Sequence, residues 1–298
     1  MAVNNSEKVS SGSENLFLAK VRALAELLKH RLSMLVSLTA IFGYAVAAGR
    51  EVRFWDLLLV GLGGMLVTGA SNVLNQVFEK EHDLVMKRTA TRPMPTGRVS
   101  TKEALVYAML LMIAGTSILG SFNLPTALLG IISMLLYAFV YTPMKRISPF
   151  CVLVGAIPGA LPPLIGWVAF TGSIDNGGLI LFAFQFFWQF PHFWAIAWQL
   201  DEDYRLAGFR MLPTDEGRGT FSARMILVYA FSLIPLSFFP YQAGMVNVWG
   251  MGLLMLLGMM FTWPAFRLFR TMDNRFARQV MFASFIYLPL SQLVLLFT

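Results

Sequence analysis

Residues 57–74 read Leu57-Leu-Leu-Val60-Gly-Leu-Gly-Gly-Met65-Leu-Val-Thr-Gly-Ala70-Ser-Asn-Val-Leu74, and Asn75-Gln-Val-Phe-Glu79-Lys-Glu81-His-Asp83 follows directly. With Trp55 and Asp56 the apolar run is about the 20 residues a helix needs to cross a bilayer. It is continuous rather than alternating, which speaks for a helix and against a barrel strand. Similar stretches lie near 32–49, 103–121, 124–142, 150–171, 178–199, 223–241, 246–267 and 278–297, which makes nine spans with this one at 55–74. The 298 residues are 57% hydrophobic and 13% charged, with a mean hydropathy of +0.64. Soluble domains carry roughly 25% charged residues. A water-soluble globule and a disordered chain are therefore excluded. The single Cys151 excludes a disulfide scaffold and any CxxC zinc or redox centre, and three histidines argue against a histidine metal cage. The expected fold class is an all-α polytopic membrane protein.

Charge gives the orientation. Of the 23 Lys and Arg residues, all but Arg50 and Arg53 fall before span 1 or in the loops after spans 2, 4, 6 and 8. The positive-inside rule places those loops and the N-terminus in the cytoplasm and the C-terminus outside. The formal charge of +7 thus belongs to one face, and topology explains it without nucleic-acid binding. Residues 1–14 read as a polar, disordered tail, with no cleavable signal-peptide pattern. Residues 15–31 read as an interfacial amphipathic helix, with Leu16, Val21, Leu24, Leu27 and Leu28 among Lys20, Arg22 and Lys29. The domain reading is 1–31 for tail and interfacial helix, and 32–298 for the nine-helix domain.

Two cytoplasmic loops, near 76–102 and 200–222, are long and polar, and long connections are where function concentrates. If span 2 continues as a helix, Asn75, Glu79 and Asp83 share one face, ~6 Å apart per step. Carboxylates at i, i+4 repel unless neutralised. Mg²⁺, which takes a few carboxylates plus phosphate oxygens, suits them; the alternative is a solvated acidic face balanced by Lys80 and Lys87. Lys87, Arg88 and Arg92 follow within ten residues, and Lys145 and Arg146 follow Tyr141 at the end of span 4. These cations suit phosphate as well as ordinary topology. A second acidic cluster, Asp201-Glu202-Asp203, follows span 6. Asp83, Pro93, Gly97 and Arg98 recur as Asp203, Pro213, Gly217 and Arg218 at an offset of 120. This reads as a diverged duplication, spans 2 and 3 against 6 and 7, whose acidic ends face one cavity. His192, beside Pro191, lies ~10 Å inside Gln199. An ionisable group at that depth is either a functional contact or a neutral histidine bonded to a helix carbonyl.

The chain resembles the UbiA-type intramembrane prenyltransferases and, within them, the haem O-forming branch. The resemblance covers nearly everything after about residue 27. It rests on Asn75-xxx-Glu79-xxx-Asp83, Met86-Lys87-Arg88-Thr89 with Arg92-Pro93, and Tyr141-Thr142 with Lys145-Arg146. It rests further on Pro162-Pro163-Leu164-Ile165-Gly166-Trp167, Thr171-Gly172, Trp188-Gln189-Phe190-Pro191-His192-Phe193, Asp203-Tyr204-xx-Ala207-Gly208 and Met211-Leu212-Pro213. There are departures. Glu79 stands for the usual Asp, Gln199 for the first Asp of the second motif in quinone-type relatives, and His30 for a Pro.

The resemblance implies a helical bundle around a central cavity in the cell membrane, and farnesyl transfer from farnesyl diphosphate to a vinyl of haem b with water addition. It implies Mg²⁺ as cofactor, held with diphosphate by Asn75, Glu79, Asp83 and Asp203. Lys87, Arg88, Arg92, Lys145, Arg146 and Tyr141 would bind diphosphate or haem propionates, and His192 would contact haem. Haem b is then a substrate, and a haem A synthase a partner. The competing readings are a prenyltransferase with a quinone-precursor or chlorophyll-type acceptor, which Gln199 disfavours, and a transporter, which would carry its charges at mid-membrane.

Overall fold

The computed structural model describes residues 6–297, with side chains from Leu16 onward. Among these residues nine helices are long and apolar enough to cross a bilayer. They are span 1 His30–Glu51, span 2 Phe54–Phe78, span 3 Thr101–Gly120, span 4 Leu124–Met144, span 5 Cys151–Thr171, span 6 Asn176–Gln199, span 7 Thr220–Gln242, span 8 Val248–Thr271 and span 9 Asn274–Phe297. Span 2 runs four residues beyond the apolar stretch that predicts it, because Asn75 and Gln76 are buried against protein rather than exposed to water.

The first helix, Ser6–Leu28, is longer than the sequence reading. Residues 6–14, expected in a disordered tail, continue it without a break, and residues 1–5 lie outside the described residues. Its buried stripe, Ala23 and Leu27, packs on Ala70 and Val73 of span 2 and Ala104 and Ala108 of span 3. Leu16 and Val21 are exposed, as suits a helix lying at an interface.

Span 5 is the most deeply buried of the nine among the described residues. It crosses span 1 so closely that a Cβ on Gly43 would meet the Pro163 carbonyl, and one on Gly166 the Ala40 carbonyl. Pro162 and Pro163 have no N–H, so the carbonyls of Pro158 and Gly159 lose their helical donors. Such groups must find partners inside a membrane. Ser133 of span 4 donates to Pro158 O at 3.2 Å, and Gln185 of span 6 donates to Gly159 O at 3.0 Å. The double proline thereby draws polar side chains from two neighbouring spans toward the middle of the bundle. In span 4 the turn before Pro143 widens to a π-helix over Leu136–Tyr141, a feature that often marks a functional site.

The two long loops share one local architecture. Span 2 leads into the six-residue helix Lys80–Val85, then a left-handed Gly97 (φ 70°) and the Ser100 cap of span 3. Span 6 leads into the six-residue helix Asp201–Leu206, then a left-handed Gly217 (φ 79°) and the start of span 7. The recurrence at an offset of 120 residues is therefore structural. One apolar core joins spans 6–9 with Ala207, Phe209, Met211 and Leu212 of the second loop, and another joins spans 2 and 3 with the first helix.

Candidate active site

Asn75, Glu79 and Asp83 come together as a buried ladder of oxygens, at 2%, 5% and 0% exposure. The helix does not run straight through them. Glu79 leaves helical geometry (φ −96°, ψ 5°), but Glu79 N still donates to Asn75 O at 2.9 Å and Asp83 N to Glu79 O at 2.8 Å. The three side chains thus keep one side despite the kink. Asn75 Nδ2 donates to Thr142 Oγ1 at 3.1 Å, and Thr142 passes its own hydrogen to Tyr137 O at 2.9 Å, within the π-helical turn. The amide is therefore fixed with Oδ1 free as an acceptor.

Both acids are neutralised by cations of the chain itself. Asp83 accepts from Arg92 Nη1 on both oxygens, at 2.9 and 2.8 Å, and Glu79 accepts from Lys145 Nζ at 2.7 Å. Repulsion between these carboxylates thus does not by itself require a metal. Lys145 also lies over the Tyr141 ring, 4.6 Å from its centroid. Burial works against its charge, but Tyr141 and the Glu79 carboxylate outweigh burial and its pKa is raised. All donors around the ladder are hard oxygens, which suits Mg²⁺. Among the described residues no three of His, Cys, Asp or Glu are close enough to cage an ion unaided, so a metal here needs oxygens from a ligand.

The other expected residues divide. Lys87, Arg88 and Arg146 are exposed at the rim, and Arg146 donates to His82 Nε2 at 2.9 Å. Asp203 is half-buried on the second short helix, away from the first ladder's hydrogen bonds. Its loop nevertheless folds over the first site. Arg210 N donates to Lys145 O at 2.7 Å, and the Phe209 ring contacts Lys145 (5.7 Å), His82 (5.6 Å) and Tyr204 (6.3 Å).

Lys29 is the residue sequence reasoning undervalued, as one more positive-inside charge. It stands in left-handed geometry (φ 48°) at the break between the first helix and span 1. The break frees carbonyls that span 2 helps to cap: Gln76 donates to Leu27 O at 2.8 Å, and Ser33, itself bonded by Asn72, donates to Leu28 O at 2.8 Å. So held, Lys29 senses Arg92, Lys145, Glu79 and Asp83. Its pKa falls to about 7, first through burial and then through the two cations, against the two acids. A lysine directly before span 1 was the only signal available.

Above the ladder, inside the bundle, lies a cavity of ≈ 360 Å³. Asn72, Tyr137 and Tyr141 border it near the ladder, and Gln185, Trp188, Gln189 and His192 of span 6 line its wall. Leu32, Leu35 and Phe285 also line it and are exposed, so it communicates with the bilayer between spans 1 and 9. His192 is 8% exposed, stacked on Trp188 at 4.7 Å, with Nδ1 on Ser284 Oγ at 2.7 Å. Its partner is thus a side chain on span 9 rather than a helix carbonyl. An aromatic, water-poor chamber joined to a polar, cation-rich floor suits an allylic diphosphate, with the hydrocarbon in the chamber and the anion on the floor.

Comparison with known proteins gives the same picture. Residues 36–288 match the UbiA prenyltransferase family. The chain is 42% identical over 276 residues to a protoheme IX farnesyltransferase of Cytophaga hutchinsonii, covering 92% of this chain and 96% of that one. It is 38% identical over 270 residues to the mitochondrial protoheme IX farnesyltransferase of Arabidopsis thaliana, covering 90% of this chain and 63% of that one. Among solved structures, a digeranylgeranylglyceryl phosphate synthase superposes with a TM-score of 0.77 at 20% identity, over 93% of this chain and 97% of that one. A UbiA homolog from Archaeoglobus fulgidus bound to GPP and Mg²⁺ superposes with 0.64 at 14% identity, over 95% and 100%.

Proposed function

The chain belongs to the UbiA prenyltransferase family, and on that premise we propose that it transfers the farnesyl group of farnesyl diphosphate to a vinyl of haem b, with addition of water, giving haem O and diphosphate. The observation that carries this reading is the buried Asn75–Glu79–Asp83 ladder beside an apolar cavity whose near end is bordered by Asn72, Tyr137 and Tyr141, in a chain 42% identical to a relative named for that activity.

The residues suit the chemistry. Loss of diphosphate builds negative charge on the leaving oxygens. Lys145 and Arg92 border that position with fixed cations, and Lys29 joins them once the bound anion raises its pKa; preorganised charge of this kind is where most catalysis by electrostatics arises. Asn75, Glu79 and Asp83, with Asp203 from the second loop, would hold Mg²⁺ together with the diphosphate, and the ion would supply further charge neutralisation. Lys87, Arg88 and Arg146, at the rim, steer diphosphate or haem propionates. Tyr137, Tyr141 and Trp188 shield the allylic cation from bulk water and stabilise it through their π faces. The vinyl is itself the nucleophile, so no activated serine or cysteine is needed, and Cys151 is buried away from the cavity. His192 faces the haem from mid-cavity.

The charge asymmetry supports a ladder on the cytoplasmic side of the cell membrane, where a water-soluble diphosphate is supplied, with the C-terminus outside. A haem A synthase would receive the product. Purified protein given farnesyl diphosphate and Mg²⁺ should prenylate haem b and leave a 4-hydroxybenzoate-type acceptor untouched. The reverse preference would overturn the acceptor assignment. His192→Ala should weaken haem binding while sparing a non-hydrolysable farnesyl diphosphate analogue; normal haem binding would remove the haem contact assigned to His192.

A further inference from the structure

Span 6 presents two hydrogen-bond acceptors to the cavity on successive turns, and both are oriented by the surrounding fold. Gln189 is 2% exposed, and its Nε2 donates to Ala156 O at 3.1 Å and to Gln185 O at 3.0 Å. Both amide hydrogens are committed to carbonyls, and a flipped amide would set oxygen against oxygen. Gln189 Oε1 is thus a lone acceptor. His192 is fixed by a similar chain. The Ser284 hydroxyl donates to Met281 O, which can only accept, so Ser284 Oγ must accept from His192 Nδ1–H at 2.7 Å. That leaves Nε2 unprotonated. The Trp188 indole, stacked on the imidazole at 4.7 Å and bonded through Nε1 to Ser284 O at 2.9 Å, holds the ring plane. One turn further along, Gln185 Oε1 is buried with no partner at all. Its amide hydrogens go to Gly159 O and to Thr39 Oγ1, and Thr39 gives its own hydrogen to Val36 O. This wall offers lone pairs and withholds hydrogens.

A ligand for such a wall is a small double donor that keeps a lone pair of its own, which is water. Gln189 and His192 both line the cavity, and residues three apart on a helix are neighbours with Cβ atoms ~5–6 Å apart, a separation that one water making two hydrogen bonds of ~2.8 Å can serve. We propose that Gln189 and His192 hold the water consumed in the reaction, and that Ser284 is the residue positioning His192 to do so. This rests on the haem b reading above. The farnesyl C1–O bond breaks and diphosphate leaves with the electron pair. The terminal vinyl carbon then bonds to farnesyl C1, leaving a cation on the carbon next to the porphyrin ring. The held water points its lone pair at that carbon, the C–O bond forms, and one water proton passes to His192 Nε2 and later to bulk. If water is misplaced, the same cation instead loses a proton from the adjacent carbon and gives an alkene one water lighter than haem O.

The test is the ratio of hydrated to dehydrated farnesyl haem, read by mass spectrometry of haems extracted after turnover; a ratio does not depend on how much product forms. Gln189→Leu and Ser284→Ala should each lower it by about tenfold, the partition change that ~1.4 kcal/mol produces. Ser284→Thr, which keeps the hydroxyl that accepts from His192, should restore it. If one variant fails to insert, the other decides. Fully hydrated product from both Gln189→Leu and Ser284→Ala overturns the inference. So does an imidazole–iron signature in the haem-bound wild type that is lost in His192→Ala, since Nε2 is then taken by iron. A wild type that makes no farnesylated haem refutes the parent reading, and this inference with it.

Discussion

Lys145→Met exposes the double part that Glu79 plays. The Glu79 and Lys145 side chains are 7% and 10% exposed, and their ion pair is 2.7 Å long. Methionine keeps the stem packed against Tyr141 and Phe209 and removes only the charge. Breaking a buried pair from one side costs about 3–5 kcal/mol, because the remaining charge stays desolvated. The slight exposure here points to the lower end, about 3 kcal/mol. A metal ion is the natural substitute for the lost ammonium. At a hundred times its dissociation constant a ligand returns about 2.7 kcal/mol, nearly the whole loss. In the wild type the ion must first displace Lys145, so Mg²⁺ alone should stabilise it less. The assay is thermal unfolding in detergent across a Mg²⁺ titration, paired with turnover. The variant should melt lower without metal, gain more from Mg²⁺ than the wild type, and still turn over slowly, since the diphosphate has lost a cation. A variant that gains no more from Mg²⁺ than the wild type would show that Glu79 does not reach the metal.

Asp83→Asn keeps shape and removes a ligand charge; turnover should be lost with insertion intact, whereas Glu79→Asp, which restores the usual family residue, should stay active. Wild-type turnover of Asp83→Asn at limiting Mg²⁺ would refute the ladder. Lys29 has a pKa of about 7 without ligand, lowered by burial and by Arg92 and Lys145, and bound diphosphate should raise it toward the ordinary lysine value. Between pH 7 and roughly 10 binding then takes up a proton and affinity falls with rising pH, by at most about tenfold per unit. Titration calorimetry in two buffers of different protonation enthalpy should detect that proton in the wild type and lose it in Lys29→Met. For orientation, Ser173→Cys should react with an impermeant thiol reagent from outside and Thr96→Cys should not. Both positions are exposed and native Cys151 is buried, so the opposite pattern would invert the topology.

Much of this was legible because bilayer physics writes plainly. Continuous apolar runs of the right length marked the nine long helices found among the described residues. The oxygen ladder was legible because Asn75, Glu79 and Asp83 keep helical spacing even across the kink at Glu79. What was not legible came from long-range pairing. Nothing near Glu79 announces Lys145 as its partner, and nothing near His192 announces Ser284, 92 residues away. Lys29 was hidden for a different reason. Its value comes from a left-handed break capped by Gln76 and Ser33, and neither residue type predicts such a break.

The most direct test of the whole account is to incubate membranes carrying the protein with haem b, farnesyl diphosphate and Mg²⁺, and to analyse the extracted haems by mass spectrometry. A new haem should appear, heavier than haem b by one farnesyl group and one water. It should vanish with chelator or in Asp83→Asn. Unchanged haem b beside a prenylated quinone precursor, or haem O formed equally well in chelator, would contradict it.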